Sequence, residues 1–179
     1  MTTELSAELL AAQIPRLRRY ARALTGSRAA ADDLTQDTLE RAWNKRALWR
    51  AEAGVEGGNL RGWLFAVMHN VFINGIKRAR PTESLDDAET AAAEPSAPAA
   101  SVETGVRLQE LHTALQRLAD GQREVVLLVG LEQLSYAEAA QALGVPIGTV
   151  MSRLSRGRER LRQLLEEGGS GPVGLRRVK

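Results

Sequence analysis

Residues 81–105 carry six acidic side chains and no basic one, include Pro81, Pro95 and Pro98, and offer only Leu85 and Val102 as large apolar groups. Such a stretch cannot bury enough apolar surface to offset the entropy of ordering it. It reads as a flexible acidic linker. Its position divides the 179-residue chain into an N-terminal module over residues 8–80 and a C-terminal module over 106–167. Both flanks are basic, with 13 basic against 8 acidic side chains in residues 1–80 and 11 against 8 in residues 106–179. Two basic modules on a tether fit an extended polyanion gripped at two places.

The composition removes whole classes of chemistry. There is no cysteine, which excludes disulfides, thiol catalysis and cysteine-held zinc. His69 and His112 are the only histidines, so a histidine-rich metal site has no material. No paired carboxylates and no Ser/His/Asp arrangement stand at a catalytic spacing. The expectation is therefore no enzyme, no cofactor and no metal. Glu4 and Glu8 precede the first arginine, Arg16, which does not fit a secretory signal, and apolar runs such as Val125–Val129 are too short for membrane insertion. These features predict a soluble cytoplasmic protein. Arginine outnumbers lysine by 21 to 3, which suits phosphate recognition. A GC-rich genome produces the same bias, so it carries little weight.

With aromatics at 4%, any core is built mainly from Leu, Val, Ile and Ala, and the Ala/Leu/Arg-rich chain favours an all-α fold. Leu10, Ile14, Leu17, Ala21 and Leu24 form a first amphipathic stripe, with Pro15 in the first helical turn and Gly26 at the end. A second helix covers about 29–46. On its wheel Asp33, Gln36, Asp37 and Glu40 share one face, while Ala31, Leu34, Thr35, Thr38, Leu39 and Ala42 share the opposite one. An acidic ridge in a basic module would repel DNA, so a functional ridge calls for a basic protein surface as its partner; a solvated helix face is the plainer explanation. After a loop with Gly54, Gly57 and Gly58, a third helix runs over about 60–79 on the stripe Leu60, Trp63, Leu64, Val67, Met68 and Val71. Asn70, Asn74, Lys77 and Arg78 line up beside that stripe, and these residue types read base edges and hold phosphate. Trp43 and Trp63 read as core, Trp49 stands at the loop edge, and His69 reads as a surface or packing residue.

In the C-terminal module, Leu108, Leu111, Leu115 and Leu118 mark one helix, and residues 124–130 read as another. Ser135 and Glu138 then make a capping box ahead of a helix that ends at Gly144. A second helix over about 147–165 follows Pro146, with Ile147, Val150, Leu154, Leu161 and Leu165 as its core positions. Two helices joined by a tight glycine turn predict a helix-turn-helix, whose second helix enters the major groove. Thr149, Ser152, Arg153, Arg156 and Arg158 stand where that helix would meet phosphate and guanine. The tail from Gly168 carries no signal of its own.

Taken together, Asp32-Asp33-Leu34-Thr35-Gln36-Asp37 through Trp43, Trp63-Leu64-Phe65 with Asn70, Leu134-Ser135-Tyr136-Ala137-Glu138, and Gly148-Thr149-Val150-Met151-Ser152-Arg153-Leu154 resemble the extracytoplasmic-function sigma factors of bacterial transcription initiation. The resemblance covers residues 10–80 and 106–166. It implies a three- or four-helix sigma region 2 domain, a connector and a region 4 helix-turn-helix domain. It also implies that Asp33, Gln36, Asp37 and Glu40 dock on core RNA polymerase. Asn70, Asn74, Lys77 and Arg78 would then serve the minus-ten element, and Thr149, Ser152, Arg153, Arg156 and Arg158 the minus-thirty-five element of promoter DNA. Control by an anti-sigma factor is the family's usual regulation. Met151 departs from the pattern where the family often has Arg or Lys, His69 where an Arg is common, and Ala119 where a proline is frequent. The loop Trp49–Asn59 lacks the usual aromatic-arginine pair. The alternative from the residues alone is a stand-alone helix-turn-helix regulator, which would need a dimer interface and would leave the ridge idle.

Overall fold

The computed structural model describes residues 5–49, 59–79 and 102–168, which contain helices and turns and no strand. The elements are α1 (Ala7–Ala11), α2 (Ile14–Thr25), α3 (Arg28–Asn44), a 3-10 turn (Arg46–Leu48), α4 (Leu60–Ala79), α5 (Val102–Gln116), α6 (Asp120–Val126), a π-turn (Leu127–Leu131), α7 (Tyr136–Leu143) and α8 (Ile147–Gly168). Residues 50–58, 80–101 and the tail from 169 lie outside the described residues, and with them most of the expected linker and loop. Val102–Gly105, assigned to the linker from sequence, belong to the first turn of α5.

Local chemistry sets most of the boundaries. The first apolar stripe is broken in two, because Ser6 caps a separate short helix by accepting the Leu9 N–H, and α2 then starts with Pro15 in its first turn. Gly26 closes α2 at φ 78°, a left-handed conformation that suits glycine. Ser27 caps α3 by accepting the Ala30 N–H. The buried hydroxyls of Thr35 and Thr38 donate to the carbonyls of Ala31 and Leu34, which lets two polar residues sit on the core face of α3. α2, α3 and α4 pack together around Leu17, Tyr20, Leu24, Leu34, Leu64, Phe65 and Met68, with Tyr20 edge-on to Phe65 at a centroid distance of 4.9 Å.

In the second half α6 crosses α8 closely enough that a Cβ on Gly157 would stand 2.8 Å from Val126 Cγ2. Val150, Leu154 and Leu164 are the buried residues that α8 sends inward, whereas Ile147, expected in the core, is 50% exposed. The reason is position: Ile147 opens the helix, beyond the end of the packing surface. The expected helix over 124–130 is present but loosens into the π-turn, which turns Glu132 toward α2.

The two halves share one apolar cluster and a polar seam. α2 ends with carbonyls that its own helix cannot satisfy. Side chains of the second half satisfy them. Arg123 Nη1 donates to Leu24 O at 2.8 Å, Gln116 Nε2 to Ala23 O at 2.8 Å, and His112 Nε2 lies 3.1 Å from Gly26 O. Arg123 also donates to the carbonyls of Leu115, Gln116 and Leu118, so its guanidinium gathers four carbonyls from two helix ends at one point. Burial pushes its pKa down from the ordinary value, while Asp120 and Glu124 pull the other way. Glu132, whose side chain is fully buried, takes Arg19 at 2.8 Å and Arg16 at 3.4 Å. His69 Nδ1 lies 2.6 Å from Glu124 Oε1.

Replacing Arg123 with methionine keeps the volume and strands four carbonyls. We expect a loss of about 3 kcal/mol or more in urea unfolding, with Arg123→Lys recovering only part because an ammonium cannot reproduce the fork.

Candidate nucleic-acid and protein interfaces

The acidic ridge is built as its wheel requires. Ala31, Leu34, Thr35, Thr38 and Ala42 are buried, and Asp33, Gln36, Asp37 and Glu40 are all exposed on the far side of α3. Asp32, their neighbour, pairs with Arg18 at 3.3 Å. No cation pairs with Asp33, Asp37 or Glu40 among the described residues. The ridge is therefore an exposed strip of unpaired carboxylates held on a helix, with Arg41, Lys45 and Arg78 lining the groove beside Asp37 and Glu40, and it suits a partner that brings its own positive charge.

Asp37 and Glu40 form one wall of a groove whose opposite wall is α4, with Asn74 and Arg78 lining it. Asn74, Lys77 and Arg78 are exposed, as the sequence predicts. Asn70 is exposed too, but its amide donates to Ala66 O at 2.9 Å within its own helix, leaving the side-chain oxygen for a ligand. Of the tryptophans, Trp43 departs from expectation, Trp63 packs against the core as expected, and Trp49, left open by the sequence, is decided by the fold. Trp49 is buried at 7% exposure, while Trp43 is 41% exposed and carries Arg46 4.7 Å above its ring. Trp63 is half-buried. Trp43 escapes the core because it stands about 100° round α3 from Ala42, off the buried face. His69 is not a simple surface residue, since it reaches the buried Glu124 across the seam. Its partner comes from a distant part of the chain, which no local pattern announces.

The helix-turn-helix is shaped by its caps. The Ser135 hydroxyl accepts the Glu138 N–H at 3.2 Å and the Glu138 carboxylate accepts the Ser135 N–H at 2.8 Å. Gly144, at φ 62°, closes α7 and lets the chain turn into α8. The Glu138 carboxylate also accepts from Asn59 Nδ2 at 2.7 Å, which ties α7 to the start of α4. On α8, Ser152, Arg156 and Arg158 are exposed. Thr149 and Arg153 are half-buried. The Arg153 guanidinium lies over the first turn of α6, so near that a Cβ on Gly121 would meet it at 3.2 Å. Arg156 and Arg158 pair with no carboxylate among the described residues, unlike Arg162 with Glu159 and Arg160 with Glu167. Two exposed guanidiniums without a carboxylate partner, on different sides of α8, suit phosphate or guanine.

No group of three or more metal-binding side chains converges among the described residues. None of their helices is long and apolar enough to cross a membrane.

Residues 10–69 match the family model of the Sigma2 domain of PhyR, and residues 108–161 match Sigma-70, region 4. The ECF RNA polymerase sigma factor EcfG of Rhodopseudomonas palustris is 36% identical over 177 residues, covering 97% of this chain and 92% of that one. The ECF RNA polymerase sigma factor SigM of Mycobacterium tuberculosis is 35% identical, covering 90% and 76%. Among solved structures, the sigma factor RpoE of Bartonella quintana in complex with the anti-sigma factor NepR superposes with a TM-score of 0.69 at 33% identity, covering 89% of this chain and 95% of that one.

Ser135→Ala removes a helix cap and should cost about 1 kcal/mol of stability. Hydrogen bonds from the Ser135 backbone and hydroxyl hold the Glu138 carboxyl below its ordinary value of 4.5. A lowered native pKa contributes stability above the unfolded value that disappears as pH falls through the native one. The gap in urea midpoint between the native chain and Glu138→Gln should therefore be widest near neutrality and close in acid.

Proposed function

This chain belongs to the ECF RNA polymerase sigma factors, and from that premise we propose how its surfaces divide the work of directing core polymerase to promoters. Asp33, Gln36, Asp37 and Glu40 dock on a basic surface of core polymerase. Asn70, Asn74, Lys77 and Arg78 on α4 serve the minus-ten element. Thr149, Ser152, Arg153, Arg156 and Arg158 serve the minus-thirty-five element, with the exposed Arg156 and Arg158 making contact and the half-buried Arg153 holding α8 on α6. The observation that carries this reading is the separation of charge: an unpaired acidic strip on α3 and unpaired arginines on α8. A lone DNA-binding regulator has no use for the first of these.

The two promoter elements are centred about 25 base pairs apart, or about 85 Å at the rise of B-DNA. α4 and α7 pack against each other and share the Asn59–Glu138 hydrogen bond. The arrangement is thus a closed one, and reading both elements at once requires the seam to part while the halves stay joined only through the chain between α4 and α5. An anti-sigma factor that grips both halves would hold the seam shut. In support, the RpoE relative was solved with its anti-sigma factor NepR, and CnrH, at 25% identity and a TM-score of 0.63, with the cytosolic domain of CnrY. The chain works in the cytoplasm, where its polymerase and DNA are. It acts as an initiation factor with no catalytic residue of its own.

Co-purification with core polymerase and run-off transcription from a genomic promoter library test this reading. Asp33→Lys and Gln36→Ala should weaken polymerase binding, and unaltered binding by both would remove the docking assignment. Arg156→Ala should weaken promoter binding by roughly 1–3 kcal/mol. Arg153→Ala should lose as much in promoter binding but, unlike Arg156→Ala, also lower the unfolding temperature.

A further inference from the structure

The outer face of α8 carries an apolar edge that the contacts assigned above do not use. Ile147 and Met151 stand one turn apart on the first two turns and are 50% and 52% exposed. Tyr136, at the start of α7, is 39% exposed and lines the same shallow groove as Met151, Ser155 and Arg158. These side chains do not belong to the core, because Val150 and Leu154, between and after them, already fill the inward face. A large apolar side chain left in water forgoes its burial energy, so a row of them on a binding helix calls for an apolar partner.

The surroundings identify that partner. The groove at this edge is bordered by the Ser155 hydroxyl, by Arg158, which pairs with no carboxylate among the described residues, and by the Glu159–Arg162 ion pair, whose charges offset each other. Gly148 has open space where a side chain would stand, which permits close approach. An apolar strip beside donors and uncompensated positive charge matches the floor of a DNA major groove, where thymine alone presents a methyl group among hydrogen-bonding edges and phosphates. The Met151 side chain is unbranched and soft, suited to an irregular contact of this kind.

We propose that Met151, supported by Ile147 and Tyr136, is a specificity-determining residue that selects thymine in the upstream promoter element through its C5-methyl group. The proposal rests on the reading that α8 enters the major groove, and it assigns base selection to a residue that forms no hydrogen bond to a base. An arginine at this position would instead favour guanine, through a bidentate contact.

The test uses holoenzyme assembled from the full chain and core polymerase, with upstream sequences selected from a randomised duplex library. Each thymine of the selected element is then replaced by deoxyuridine, which deletes only the methyl group. Binding should fall about fourfold at one or two positions, the worth of one buried methyl-sized group. In Met151→Ala that penalty should vanish, and in Met151→Arg selection should move from thymine toward guanine at the same position. Met151 is exposed, so both variants should keep the native unfolding temperature. Equal deoxyuridine penalties in the native chain and Met151→Ala would overturn the proposal while leaving α8 as the reader. Weakened anti-sigma binding by Met151→Ala with the thymine preference intact would also overturn it, and would give the edge to a protein partner. If the native holoenzyme enriches no upstream sequence, the major-groove reading of α8 fails, and this proposal with it.

Discussion

A helix that stops inside a protein leaves carbonyls for which it has no donors, and at the end of α2 those carbonyls are met from the other half of the chain. Arg123 is the centre of that arrangement. One guanidinium accounts for Leu24 O on one side of the seam and for three carbonyls of the α5–α6 turn on the other. A cation is the right group for the place, since the negative end of the α2 dipole points at it. Gln116 and His112 extend the same cap to Ala23 and Gly26. Without these donors α2 would end against unsatisfied polar groups and the apolar cluster shared by both halves would lose its border.

A seam of this kind is stable yet separable. Its hydrogen bonds and ion pairs exchange for water when the halves part, so the net cost of each is modest even though the closed geometry is well specified. Glu132 between Arg16 and Arg19 follows the same rule: burial is tolerated because its charge is met inside by two arginines and can be hydrated outside, while Glu124 keeps a hydrogen bond to His69. Nearby, Tyr20 is held neutral, its pKa raised well above the ordinary value first by burial and then by the charges of Glu124 and Glu132.

Carboxylates in this protein have two fates. Asp33, Asp37 and Glu40 stand unpaired in water on α3, while Glu124 and Glu132 are buried. The wheel of α3 separated its acidic and apolar faces correctly because both are fixed by helical period within a single element. Nothing in the neighbourhood of Glu132 in the chain announced its burial. Its inward turn comes from the π-turn before it, and its partner Arg19 lies 113 positions away. Trp49, which the sequence left at the loop edge, is buried by tertiary packing, whereas Trp43, expected in the core, is 41% exposed because it stands about 100° round α3 from the buried Ala42. On α8, hydrogen-bonding residues were legible as a set, but the sequence did not separate the half-buried Arg153 from the exposed Arg156.

What the amino-acid order determined by itself is most of the helices and several of their ends: the Ser135–Glu138 box, the left-handed glycines at 26 and 144, Pro15 in a first turn, and the amphipathic periods of α3 and α4. These depend on neighbours within a turn or two, so they can be read along the chain. The tertiary structure decided which charges face inward, how the two halves meet, and which side chains of α8 are left in water. Those outcomes depend on partners from distant segments, and only the folded arrangement brings such partners within hydrogen-bonding distance.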